Sequence, residues 1–157
     1  VNQACAIKKQ CQRYGAKLII NDHLDIALAV NADGLHVGKV DVSIQTARTY
    51  LGKHKMIGVS CYNQIDLALA AEKEGADYVA FGAFYASRTK IDTVEANPDL
   101  LTQAKKVLQI PVVAIGGINV TNAALLIFRG CDAIAVSDGL FNTANIPSIA
   151  KKFKRLF

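Results

Sequence analysis

The stretch Asn63-Gln64-Ile65-Asp66-Leu67-Ala68-Leu69-Ala70-Ala71-Glu72-Lys73-Glu74-Gly75-Ala76-Asp77-Tyr78-Val79-Ala80-Phe81-Gly82 decides the fold. Over 63–74, Ile65, Leu67, Ala68 and Ala71 make an apolar stripe at helical spacing, and Glu72, Lys73 and Glu74 supply a wet face. Gly75 then stands just past the helix end, where a left-handed backbone is needed and a side chain would clash. From Tyr78 to Gly82 the apolar run is continuous instead of alternating, as in a parallel strand covered on both faces. The unit is helix, cap, strand.

The same unit recurs on either side. Gly15-Ala16-Lys17, Asn31-Ala32-Asp33 and Gly130-Cys131-Asp132 occupy the position of Gly75-Ala76-Asp77. Strands are predicted over 18–21, 34–37, 56–60, 78–82, 112–116 and 133–137, and helices over 2–14, 22–30, 43–52, 63–74, 95–108, 119–129 and 146–156. Strands alternating with helices give right-handed βαβ units and a parallel sheet. No linker-like stretch divides the units, so residues 1–157 read as a single domain. On pattern alone, a doubly wound sheet and part of a (β/α)8 barrel both fit.

Composition agrees with an α/β globular domain. Of 157 residues, 52% are apolar and 20% charged, with 11 glycines and 3 prolines, which excludes disordered, collagen-like and low-complexity classes. No apolar run reaches the roughly 18 to 20 residues of a membrane helix, and no signal peptide is visible. The net charge of +5 suits anionic ligands without choosing among them. Cys5, Cys11, Cys61 and Cys131 lack CxxC spacing, which argues against a zinc ribbon and suits a reducing, cytoplasmic setting. The basic run Lys151-Lys152-Phe153-Lys154-Arg155 alternates with apolar positions and reads as the wet face of a terminal helix, so no nucleic acid is expected as a partner.

In parallel α/β folds the chemistry collects at the carboxyl ends of the strands. Those ends read, in order, Asn21-Asp22, then Gly38-Lys39-Val40-Asp41, Ser60-Cys61-Tyr62-Asn63, the loop Gly82 to Lys90, Gly116-Gly117-Ile118-Asn119 and Ser137-Asp138-Gly139. Asp22 and Asp41 end neighbouring strands and could share one hard cation such as magnesium, which takes one or two protein carboxylates. Asp22 would equally serve as the cap of the helix after it. Gly116-Gly117 before a helix reads as a phosphate cradle, from exposed amides and the helix dipole. Ser87, Thr89 and Lys90 add two hydroxyls and a positive charge suited to phosphate, although Lys90 by itself would be an ordinary loop lysine. His36, between Leu35 and Val37, reads as a packed, hydrogen-bonded core histidine. Cys61 has no histidine placed to activate it and is a poor nucleophile.

Taken in order, these segments resemble the thiamine-phosphate synthase family over nearly the whole chain. Ile19-Ile20-Asn21-Asp22 is similar to an I-N-D motif, and Asp33-Gly34-Leu35-His36-Val37-Gly38-Lys39-Val40-Asp41 to D-G-V-H-L-G-Q-x-D. Ile57-Gly58-Val59-Ser60 matches G-V-S, Ser87 with Thr89-Lys90 matches a T-x-T-K loop, and Ala114-Ile115-Gly116-Gly117-Ile118 is A-I-G-G-I.

The resemblance implies a (β/α)8 TIM barrel that joins a hydroxymethylpyrimidine diphosphate to a thiazole phosphate with release of diphosphate, through a dissociative, Mg2+-dependent step. It implies metal binding by Asp22 and Asp41. It gives the pyrimidine diphosphate to Asn21, Ser60 and Lys90, and the thiazole phosphate to Ser87, Arg88, Thr89, Gly117, Ser137 and Asp138. Lys90 and Ser60 are the expected catalytic groups. Partners are these small molecules, with no membrane, and a homo-oligomer is compatible.

The chain departs from the pattern at four places. Lys39 stands where the family has Gln, Ala83 and Ala86 where prolines frame the loop, and Asp138 puts a carboxylate near the phosphate site. A barrel of this type needs at least about 200 residues. The six strands match the family's third to eighth, and the chain begins Val1-Asn2 without methionine, so a longer native protein is expected. Two other readings remain. A thiazole tautomerase would carry a histidine where this chain has Tyr62, and a non-catalytic phospho-ligand-binding paralogue would tolerate Lys39 and Asp138.

Overall fold

The computed structural model describes residues 1–86 and 96–157. The order of elements is α1 (Asn2–Arg13), β1 (Ile19–Asn21), α2 (Leu24–Ala29), β2 (Gly34–Val37), α3 (Ile44–Leu51), β3 (Met56–Tyr62), α4 (Ile65–Lys73), β4 (Tyr78–Phe81), α5 (Asp99–Val107), β5 (Val112–Ile115), α6 (Ala123–Phe128), β6 (Ala133–Ala135), α7 (Asp138–Phe141) and α8 (Ile146–Lys154). The six strands form one sheet in the order β1-β2-β3-β4-β5-β6, each parallel to its neighbours. This sequential order excludes the doubly wound alternative, whose strand order reverses at a switch point. What the described residues form is a six-stranded parallel half-barrel; a closed eight-stranded barrel is not seen.

Register separates the two faces. Leu35, Ile57, Val79, Val112 and Ala114 share one face and are fully buried in a core with Ala27, Ala47, Ala68, Leu101, Ala104 and Leu126 of the helices. The opposite, inner face carries His36, Gly58, Ser60, Tyr78, Val113 and Ile115. Alanines at the buried helix positions let the helices approach the strands closely.

The Asp of the repeated unit has a structural task at the amino-terminal edge of the sheet. Asp33, Asp77 and Asp132 each open an even-numbered strand. Their carboxylates accept the backbone N–H of Leu18 (2.9 Å), Ile57 (2.7 Å) and Val112 (2.7 Å), at or near the start of the preceding strand. Their own N–H groups donate to the carbonyls of the same three residues at 2.8 Å. A base from α1, α3 or α5, the helix ahead of that preceding strand, then completes each latch: Lys8 at 2.6 Å, Arg48 at 2.7 Å and Lys105 at 2.9 Å. The Lys8 ammonium and the Leu18 amide hold the Asp33 carboxyl below the usual range against the opposing effect of burial. Burial pushes Asp132 upward, but the Val112 amide and Lys105 outweigh it and the net shift is down.

The expected left-handed caps are present, with φ of +67° at Gly15, +47° at Asn31, +95° at Gly75 and +102° at Gly130. Most element ends shift by one or two residues from the sequence reading, β3 running on to Tyr62, and larger differences occur after β4, β5 and β6. The helix expected from 119 begins at Ala123, because Asn119 Oδ1 accepts the N–H groups of Thr121 (2.9 Å) and Asn122 (3.2 Å) and holds 119–122 as a turn. The sixth strand ends at Ala135, not 137, and the short helix α7 after it was not foreseen. The helix expected over 95–108 spans Asp99–Val107.

Candidate active site

Because all six strands run the same way, their carboxyl ends lie along one edge of the sheet. Asn21 is the last residue of β1, and Asp22 follows with φ of +65°. The His23 N–H donates to the Asn21 carbonyl at 2.8 Å, which closes a three-residue turn centred on Asp22. Such turns with positive central φ are rare and strained. The Asp22 N–H donates to the His36 carbonyl at 2.8 Å and ties the turn to β2. The N-cap of α2 is His23, so Asp22 is not the capping residue.

On the neighbouring strand, Asp41 returns to the rim through a tight loop. Its Oδ2 accepts the Gly38 N–H at 2.7 Å, which orients the carboxylate. A Cβ on Gly38 would lie 3.2 Å from that oxygen and 3.5 Å from the Tyr62 hydroxyl, so Gly38, Asp41 and Tyr62 crowd together. Lys39 is exposed and makes no ion pair with Asp41 among the described residues. No group of three His, Cys, Asp or Glu side chains able to hold a metal occurs among the described residues. Two carboxylates alone suit a hard cation that keeps water and ligand oxygens in its remaining positions, which is magnesium's habit.

The other half of the rim is built on glycine. Gly116 and Gly117 have φ of +100° and +61°. A Cβ on Gly116 would lie 2.4 Å from Ala83 Cβ, and one on Gly117 2.5 Å from the Ala86 carbonyl oxygen. The Phe84 N–H donates to Ile115 O and the Tyr85 N–H to Gly116 O, both at 3.2 Å, so the segment after β4 is zipped onto the diglycine. Asn122 Nδ2 donates to Gly117 O at 3.1 Å, and the Tyr85 hydroxyl donates to Asn122 O at 3.2 Å. Gly139 brings the end of β6 alongside, since a Cβ there would lie 2.2 Å from Ile118 O. Ser137 and Asp138 are exposed at this junction. The cradle is thus a loop of close-packed glycines. The expected helix amino terminus stands six residues beyond Gly117 and belongs to a helix of only six residues.

Ser87, Arg88, Thr89 and Lys90 lie outside the described residues. Their chain neighbour Ala86 abuts Gly117.

Between the two halves, on the inner face, Ser60 Oγ lies 2.9 Å from His36 Nε2, and His36 Nδ1 lies 3.0 Å from the Tyr78 hydroxyl. His36 is hydrogen-bonded as expected, but it is half-buried on the inner face and not packed in the core. The sequence reading missed Tyr78; the signal for it is Gly58, its partner in register. Burial pushes the Tyr78 phenol up to about 12 and the Cys61 thiol up to about 12, which keeps both protonated and Cys61 inert.

A model of the family described as thiamine monophosphate synthase matches residues 1–140. The chain belongs to the thiamine monophosphate synthase family. Thiamine-phosphate synthase of Nitrosomonas eutropha is 57% identical over 155 residues, covering 99% of this chain and 73% of the relative. That of Nitrosospira multiformis is 54% identical over 155 residues, covering 99% and 66%. Among solved structures, thiamine phosphate pyrophosphorylase from Pyrococcus furiosus superposes with a TM-score of 0.88 at 30% identity, covering 99% of this chain and 74% of that one. The family is one of transferases, and the half-barrel seen here is similar to that part of the Pyrococcus enzyme.

Proposed function

We propose that this rim joins a hydroxymethylpyrimidine diphosphate to a thiazole phosphate. The observation that carries the reading is the meeting, on one sheet edge, of two carboxylates on neighbouring strands with a glycine cradle two strands beyond Ser60. Asp22 and Asp41 would hold Mg2+, whose chemistry at such a site is to neutralise the departing diphosphate. Asn21, Ser60 and Lys90 bind the pyrimidine diphosphate, and Ser60 and Lys90 donate to the leaving group. Ser87, Arg88, Thr89 and Gly117, with Ser137 and Asp138, hold the thiazole phosphate. The bond from the pyrimidine methylene carbon to the diphosphate oxygen breaks with its electron pair leaving on oxygen. The thiazole nitrogen lone pair then forms the new carbon–nitrogen bond. Fixed donors favour this reaction because they need no reorganisation as charge develops.

The same proposal takes residues 1–157 as part of one (β/α)8 TIM-barrel domain, with β1 to β6 as its third to eighth strands. The coverage of 73% and 74% of the related chains supports it. So do Met56 and Ile115, left 37% and 43% exposed on the inner face. No helix among the described residues is long and apolar enough to cross a membrane; the reading places the reaction in the cytoplasm. The test is a coupling assay with both phosphorylated halves and Mg2+, in which thiamine phosphate and diphosphate form in equal amounts. Binding of both halves without turnover would favour a non-catalytic phospho-ligand binder.

A further inference from the structure

His36, Gly58 and Tyr78 stand level with one another on β2, β3 and β4. Two interstrand spacings, about 9.5 Å, separate β2 from β4. Tyr78 reaches across because position 58 has no side chain: a Cβ there would lie 1.9 Å from Tyr78 Cζ. The phenol ring stacks beside the imidazole at 5.5 Å between centroids, and its oxygen meets Nδ1 at 3.0 Å. Nε2, the far nitrogen, meets Ser60 Oγ at 2.9 Å.

A neutral imidazole has one donor and one acceptor nitrogen. With the proton on Nδ1, it would donate to Tyr78. Ser60 would then spend its only proton on Nε2, and the phenol O–H would need another acceptor. Among the described residues the phenol has no hydrogen-bond partner but His36. With the proton on Nε2, every group is used. The phenol, a far stronger donor than an alcohol, gives its proton to Nδ1, Nε2–H donates to Ser60 Oγ, and the serine proton is turned toward the rim.

We infer that Tyr78 is a positioning residue: by fixing the tautomer of His36, it presents the Ser60 hydroxyl as a hydrogen-bond donor to an acceptor atom of the pyrimidine diphosphate. The substrate part rests on the function proposed above; the tautomer part does not. A tyrosine serving only to fill the inner face would leave the imidazole indifferent to loss of its hydroxyl.

The test uses protein labelled with 15N in the histidine rings, at pH 8, and Tyr78→Phe, which keeps the ring over Gly58. His23→Gln and His54→Gln, both at exposed positions, assign the other two rings. In the unmodified protein, His36 shows a protonated Nε2 and an unprotonated Nδ1. In Tyr78→Phe the two nitrogens move toward a mixed tautomer, and KM for the pyrimidine diphosphate rises about tenfold while KM for the thiazole phosphate holds. A His36 protonated at Nδ1, or a tautomer unchanged in Tyr78→Phe, overturns the inference. A changed tautomer with unchanged KM overturns the donor role of Ser60. If the unmodified protein has no coupling activity, the proposed function fails, and the ring nitrogens still decide the role of Tyr78.

Discussion

Gly117→Ala tests whether the segment after β4 is seated on the diglycine. Two penalties combine at this position. The left-handed backbone, at φ of +61°, costs a non-glycine residue roughly 1–2 kcal/mol, of which alanine recovers about 0.4–1 by narrowing the unfolded ensemble. The new methyl would also lie 2.5 Å from Ala86 O and 2.6 Å from Tyr85 O, both backbone atoms that cannot swing aside. Overpacking of that kind costs about 1–3 kcal/mol. The expected loss is about 2–4 kcal/mol, or a fall in Tm of about 4–16 °C for a domain of this size. Gly15→Ala is the control, since φ there is +67° but nothing lies within 4 Å of the added Cβ. It should cost no more than about 1.5 kcal/mol. Melting of both variants by circular dichroism separates the two penalties. If Gly117→Ala melts within about 2 °C of Gly15→Ala, the close packing of residues 83–86 on the cradle is refuted.

Two further expectations concern the amino-terminal edge. Asp77→Ala leaves the Ile57 N–H without its acceptor and takes the carboxylate from Arg48, whose guanidinium keeps the carbonyls of Gly52, Lys55 and Gly75, and urea denaturation should show a loss of about 1–3 kcal/mol with an unchanged m-value. Asp33 and Asp132 are depressed below 3.8 in the folded chain, so their contribution is complete above that pH and is lost as pH falls through the folded values. Stability measured from pH 5 to pH 2 should fall, and Asp33→Asn with Asp132→Asn together should flatten that fall.

The order of elements could be read from the sequence because each strand is a short, continuous branched run, and four of the six follow the glycine or asparagine cap of the recurring unit. The strand expected over 34–37 is Gly34–Val37 in the structure, and the Asn31 cap ahead of it is the reason. Boundaries slipped where side chains compete with the backbone for hydrogen bonds, as Asn119 does ahead of α6. Helix α7 escaped notice because its four residues bury nothing, so no apolar stripe marks it. The rim was legible as a set of strand ends, and Asp22, Asp41 and Gly117 do share that edge. Asp22's strained turn was not legible, since a positive φ at aspartate leaves no mark in composition. Nor was the line from Ser60 through His36 to Tyr78, whose members are 24 and 42 residues apart and meet only through strand register.

The central claim is that Asp22 and Asp41 grip a single hard cation at the same edge as the anion cradle. Binding of Mn2+, a paramagnetic substitute for Mg2+, followed by electron paramagnetic resonance in the presence of inorganic diphosphate, tests this most directly. One site is predicted, weakened at least about tenfold in Asp22→Asn and in Asp41→Asn alike. A site of unchanged affinity in either variant would contradict it.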